Sequence, residues 1–275
     1  VLYGINTHNN SLVLFDRFNL ENANAVVFGK SGGGKSYTVK LEILRSLLFG
    51  TQVLIVDPEN EYKYLSDTIG GSSIKISINS DQHINPFDLP VPKADESSAD
   101  VFKSHILDLT GLLRLILGEL TPEEAAILDE ALIQTYAIKD ITPESDFSKS
   151  SPPLLSDLES ILEGLTGAES MAIRLKKYTK GTFSGFLNKP TNVSLDNQLI
   201  AFSIREMEEE LRPIAMYLIL NFLWVTIRRT LKKRILVVDE AWWLMKYELG
   251  ANFLSNIAKR ARKYYAGLTT ISQDI

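Results

Sequence analysis

The sequence predicts an α/β fold: a mainly parallel sheet flanked by helices, with an N-terminal β-hairpin and an all-α insertion. Three observations carry this. Short apolar runs of four or five residues end in glycines or acids and give way to helical patterns, as in Ala25-Val26-Val27-Phe28 and Ile235-Leu236-Val237-Val238. Between about Ser97 and Lys180 four segments carry apolar residues at helical spacing, with the Ser/Pro-rich Thr142–Pro153 as a loop between helices. Ahead of both, two strand-like segments flank a polar turn.

Taken in order, Leu2–Asn6 and Ser11–Phe15 bracket His8-Asn9-Asn10 and read as the hairpin. Ala25–Phe28 reads as a buried strand, and Tyr37–Phe49 as a helix closed by Gly50. Val53–Val56 is a second buried strand ended by Asp57-Pro58, and Ser73–Ser77 a short third. Helices are expected over Val101–Leu117, Pro122–Tyr136, Leu154–Leu162 and Ala168–Tyr178. Thr121-Pro122-Glu123-Glu124 is a capped start, with proline at the first helical position and acids in the first turn. Strand character returns at Gln198–Phe202, then a helix over Ile214–Thr230, the strand Ile235–Val238, a helix over Ala251–Lys263 and a last strand, Leu268–Ile271. The expected segments are 1–96 and 186–275 for the α/β core and 97–185 for the helical insertion.

The chain has 275 residues, 45% hydrophobic, with no cysteine and a net charge of −5. Disulfide frameworks and thiolate metal sites are excluded. A broadly basic nucleic-acid surface is not indicated, which leaves DNA contact to local patches. His8, His83 and His105 lack ligand spacing. The longest apolar run, Ala215–Ile227, spans ~20 Å as a helix, short of a ~30 Å hydrocarbon core, and reads as a buried helix rather than a transmembrane segment. The chain opens on Val1, so a piece of a longer protein is expected.

Gly29-Lys30-Ser31-Gly32-Gly33-Gly34-Lys35-Ser36 matches G-x-x-x-x-G-K-[ST] between a strand and a helix, the context of a phosphate-binding P-loop. Its N–H groups can wrap a β-phosphate at a helix N-terminus. Lys35 would reach the β- and γ-phosphates, and Ser36 would hold Mg²⁺. Tyr37 has two open readings, stacking on a base or core packing. Asp239 and Glu240 end an apolar strand. Asp239 suits the Mg²⁺ shell and Glu240 the base that positions water; capping the next helix is the alternative. Gln273 follows the last strand, as a γ-phosphate sensor or as a surface turn residue. Asp57, Glu59 and Glu61 would lie near the γ-phosphate, cap a helix or meet another subunit.

Together, Gly29–Ser36, Ile55-Val56-Asp57-Pro58-Glu59-Asn60-Glu61-Tyr62, Ile84-Asn85-Pro86-Phe87, Leu236–Trp242 and Ser272-Gln273 resemble the C-terminal ATPase domain of the large TraC-like conjugation ATPases of type IV secretion systems. The P-loop is generic; the Asp57–Tyr62 stretch with Asn85-Pro86-Phe87 is more specific. The resemblance implies a RecA-like P-loop NTPase core, ATP and Mg²⁺ as cofactors, a homo-hexamer when active, and partners in the secretion channel at the cytoplasmic face of the inner membrane. It places a basic motif on Arg262 and Lys263, where such hexamers reach a neighbour's phosphates. Helix-end charges complementing the dipole are the other reading of Lys259–Lys263. A DNA-pumping translocase of the same superfamily and a nucleotide-gated scaffold are the rival functions.

Two smaller signals remain. Arg228–Arg234 holds five cations in seven residues and reads as a solvated helix end, with nucleic acid or acidic lipid as the alternative. Of Trp242 and Trp243, one is expected beneath the sheet and the other on a subunit face.

Overall fold

The structure, a computed structural model, describes residues 1–93 and 96–273, so residues 94–95 and 274–275 of the predicted segments lie outside it. In chain order, β1 (Leu2–Ile5) and β2 (Leu12–Leu14) form an antiparallel hairpin. β3 (Ala25–Phe28) leads into α1 (Lys35–Leu47), then β4 (Gln52–Asp57), α2 (Lys63–Thr68) and β5 (Ser72–Lys75). Five helices follow: α3 (Ser98–Leu117), α4 (Pro122–Ala137), α5 (Leu155–Gly164), α6 (Glu169–Thr179) and α7 (Ser184–Leu187). The chain then makes β6 (Leu199–Ser203), α8 (Arg212–Arg229), β7 (Arg234–Val238), α9 (Trp242–Met245), α10 (Glu248–Arg260) and β8 (Ala266–Ser272).

Contacts divide the chain into two units. One holds residues 1–75, 194–216 and 226–275; the other holds 76–193 and 217–225. The first unit carries a six-stranded, wholly parallel sheet in the order β3-β8-β7-β4-β6-β5. Every residue of β4, β6 and β7 is buried, which is why these strands are unbroken apolar runs rather than alternating ones. Val39 and Ile43 of α1 pack with Val53, Ile55, Ala201, Val237 and Ile271 in one core. Each buried side chain of this size contributes roughly 1.5–3 kcal/mol.

The second unit is helical. Thr121 caps α4 in a capping box with Glu124, as its sequence predicts. Buried Asn85 folds its own loop, accepting from the Phe87 N–H at 3.1 Å and donating to the Pro153 carbonyl at 3.0 Å. Tyr136 donates to the Phe87 carbonyl. The Asn85-Pro86-Phe87 motif therefore fastens loop to helix in this unit.

The helix around Glu209–Arg229 is long and apolar enough to cross a membrane by length and composition, but two thirds of that stretch, 67%, is buried inside the protein. It is a core helix, as expected. One reading is corrected, and three short helices are added to those expected. Helices α2, α7 and α9 span one or two turns and show too little periodicity to be predicted. Arg234, assigned to a solvated cation run, is 1% exposed. Its guanidinium donates to Gln52 Oε1 at 2.8 Å and to the carbonyls of Ile227 and Thr230 at 3.3 and 2.5 Å, tying the end of α8 to the start of β4.

Candidate active site

In a parallel sheet all strands end on the same side, so loops after neighbouring strands converge. Four such loops meet here, after β3, β4, β7 and β8. They enclose a cavity of about 300 Å³ lined by residues 31–37, Glu59, Glu61, Asp239, Glu240 and Gln273. Residues 31–36 of the predicted loop, both predicted strand-tip acids and the predicted glutamine are thus brought to one place, whereas Gly29 and Lys30 do not line the cavity.

The loop conformation explains its glycines. Gly32 and Gly34 have φ of +74° and +83°, in the left-handed region open to glycine. A Cβ on Gly33 would stand 3.0 Å from the Lys30 carbonyl oxygen. Gly34 caps α1 without a side-chain acceptor, leaving first-turn N–H groups for an anion. Lys35 Nζ donates to the carbonyls of Gly29 and Lys30 at 2.7 and 3.2 Å, folded back over the loop. Tyr37 is 73% exposed and lines the cavity, which overturns core packing.

Asp57 and its neighbours separate in role. Asp57 is buried and accepts from the N–H groups of Glu61 and Tyr62 at 2.9 and 2.8 Å, so it holds the turn after β4. Asn60, with φ +61°, completes that turn. Glu59 and Glu61 face the cavity; Glu59 pairs with Arg212 at 3.0 Å and Glu61 lies 3.9 Å from Lys40.

Asp239 is 6% exposed and accepts from the Glu240 N–H at 2.9 Å. Burial, reinforced by the charges of Glu240, Glu61 and Asp57, pushes its carboxyl up to about 6. The phenol of fully buried Tyr62 is raised by the same burial and by Asp239. A desolvated carboxylate raised further by three neighbouring acids is short of positive charge, and a divalent cation at Asp239 and the Ser36 hydroxyl would fit that deficit. Glu240 has φ +47°, an uncommon conformation for a residue with a Cβ. Its carboxylate accepts from Gln273 Nε2 at 2.7 Å and from the Trp242 indole.

Neither tryptophan is fully buried; they stack on each other at 4.5 Å, so the expectation of one beneath the sheet does not hold. The Trp242–Glu240 hydrogen bond was not legible beforehand, although the tryptophan stands two residues after the acid. Arg262 and Lys263 are not brought to this cavity. They precede β8, whereas Gln273 follows it, and seven strand residues span ~23 Å. They line a second depression with Phe18 and Tyr265.

The family model of the helicase HerA central domain (DUF87) matches residues 13–217, and that of the TraG P-loop domain matches residues 163–275. Protein TraC of Escherichia coli (strain K12) is 24% identical over 289 residues, covering 98% of this chain and 31% of TraC. The chain thus spans about a third of that relative. The structure of VirB4 of Thermoanaerobacter pseudethanolicus superposes with a TM-score of 0.89 at 29% identity, covering 100% of this chain and 76% of VirB4. The bacterial conjugative coupling protein TrwBdeltaN70 shares the fold, with a TM-score of 0.55 at 16% identity over 91% of this chain and 62% of its own. These matches bear out the resemblance drawn from the motifs: the chain is TraC- and VirB4-like, and by the extent of the matching model it belongs to the family of the helicase HerA central domain.

Proposed function

We propose that this chain is the Mg²⁺-dependent ATPase motor domain of a type IV secretion or conjugation system, powering substrate transfer or pilus assembly. The observation that carries the reading is the convergence of Lys35, Ser36, Asp239, Glu240 and Gln273 on one cavity. TrwB has been solved with an ATP analogue and with ADP and Mg²⁺, which supports the same ligands here.

Lys35 leaves the carbonyls of Gly29 and Lys30 and places its ammonium against the β- and γ-phosphates. The N–H groups from residue 31 to Tyr37 wrap the phosphates. Ser36 and Asp239 hold Mg²⁺, which supplies charge neutralisation at the phosphate oxygens. Glu240 orients the attacking water and takes its proton at a carboxylate oxygen. Gln273, bonded to Glu240, couples loss of the γ-phosphate to motion of the β8 loop. Arg262 and Lys263, far from their own cavity, act on a neighbour's phosphates in a homo-hexamer. The assembly works with channel components at the cytoplasmic face of the inner membrane.

Steady-state ATP turnover, with and without Mg²⁺ and DNA, tests this. Glu240→Gln should still bind ATP but turn over ~10²-fold more slowly or worse. Wild-type turnover in that variant sinks the assignment of the base. The match to a helicase family favours one second reading, a DNA-pumping translocase. Salt-dependent DNA binding with DNA-stimulated turnover would select it.

A further inference from the structure

The Glu240 carboxylate is held at both oxygens. Oε1 accepts from Gln273, and Oε2 accepts from the indole N–H of Trp242. An amide can present either end to a partner, but an indole can only donate. The Trp242 contact therefore specifies an acceptor at that position, which the carboxylate supplies.

Trp242 is itself braced. It opens the one-turn α9, its ring stacks on Trp243 with an interplanar angle of 25°, and Lys246 Nζ stands 4.2 Å from its centroid. The Arg212 guanidinium stands 5.3 Å from the Trp243 ring and pairs with Glu59 on the cavity wall. A continuous chain of contacts thus runs from Glu59 through Arg212, Trp243 and Trp242 to Glu240. Gln273, by contrast, is exposed to solvent at the end of β8.

We propose that Trp242 is the positioning residue of the catalytic carboxylate, and that the Arg212–Trp243 stack braces it. Trp242 keeps Oε2 and so fixes the plane of the carboxylate. Gln273 is the exchangeable partner, and its departure frees Oε1 for the attacking water. This rests on Glu240 being the base.

The test compares Trp242→Phe, Glu240→Gln and the double variant. Phenylalanine keeps most of the stacking ring and removes the donor. Trp242→Phe should lower kcat about 10- to 100-fold, the worth of one hydrogen bond to a charged group, with KM for ATP unchanged within about twofold. In the Glu240→Gln background it should cost little more. A slow Glu240→Gln beside a Trp242→Phe of wild-type kcat overturns the inference alone. Wild-type turnover in Glu240→Gln overturns the underlying assignment instead. An effect on kcat that is undiminished in the double variant, or a raised KM, marks a merely structural tryptophan and also overturns it. Should Trp242→Phe not fold, the indole N–H resonances of the three tryptophans decide. Glu240→Ala should move one of them upfield as its carboxylate acceptor is lost, and the inference falls if none moves.

Discussion

At the scale of single residues, Asp239 shows a site built against its own stability. Its carboxyl titrates near 6 instead of the ordinary 3.8, chiefly because it is buried. The folded chain therefore binds that proton more tightly than the unfolded chain. Stability from this group is present below pH ~4 and is lost as pH rises through about 6. At roughly 1.4 kcal/mol per pH unit, the ionised carboxylate costs about 3 kcal/mol at neutral pH without a cation. Asp239→Asn keeps the acceptor for the Glu240 N–H and removes the charge. The ligand-free variant should melt several degrees above wild type at pH 7.5, the two should converge near pH 4, and Mg²⁺-dependent turnover should be lost. A variant that melts lower at pH 7.5 would show that the buried charge is already compensated. That Asp239, Glu240 and Gln273 would gather beside the glycine loop was legible, because each closely follows an apolar strand. The environment of the other acids was not: Asp57, Glu59 and Glu61 are alike as letters, yet one holds a turn and two face the cavity.

At the scale of elements, the buried strands announced themselves, since β4, β6 and β7 have no solvated face to interrupt their apolar runs. The one-turn helices did not, because periodicity needs more than one turn to appear. Arg234 shows a different limit. Within Arg228–Arg234 it is one cation among five, and composition assigns them all to solvent. Its position as the first residue of β7 takes it inside, where four acceptors answer the guanidinium: Gln52 Oε1, the Ile227 and Thr230 carbonyls and the Thr230 hydroxyl. Burial lowers its pKa only to about 10, so it stays charged at neutral pH. Arg234→Met should strand Gln52 Oε1 and the carbonyls at the end of α8, destabilising the chain by roughly 3 kcal/mol in urea or thermal melts. Arg234→Lys should recover only part, because an ammonium cannot reproduce the fork. Intact stability in Arg234→Met would mean that water replaces the guanidinium.

At the scale of the whole molecule, the order of the strands is not written in the sequence, but the end of the sheet at which each motif falls is. Residues after a parallel strand gather at one end, and residues before it at the other. That rule places Gln273 in the cavity and sends Arg262 and Lys263 away from it. A cation that cannot serve its own site can still serve a neighbour's, and a finger supplied in trans is worth ~10³–10⁵ in rate. If Arg262 does so, turnover per subunit should rise with protein concentration as rings assemble. Complementation separates this from simple assembly. Lys35→Ala subunits lack the phosphate-binding cation, and Arg262→Ala subunits lack the finger, so each alone should be inactive. In a mixed ring, an Arg262→Ala subunit with an intact P-loop can face the intact finger of a Lys35→Ala neighbour. Activity should therefore reappear on mixing and peak near equal proportions, where such junctions are most frequent. Mixed rings that form, by native mass or cross-linking, yet stay inactive at every ratio would return Arg262 and Lys263 to the role of helix-end charges beside the depression lined by Phe18 and Tyr265.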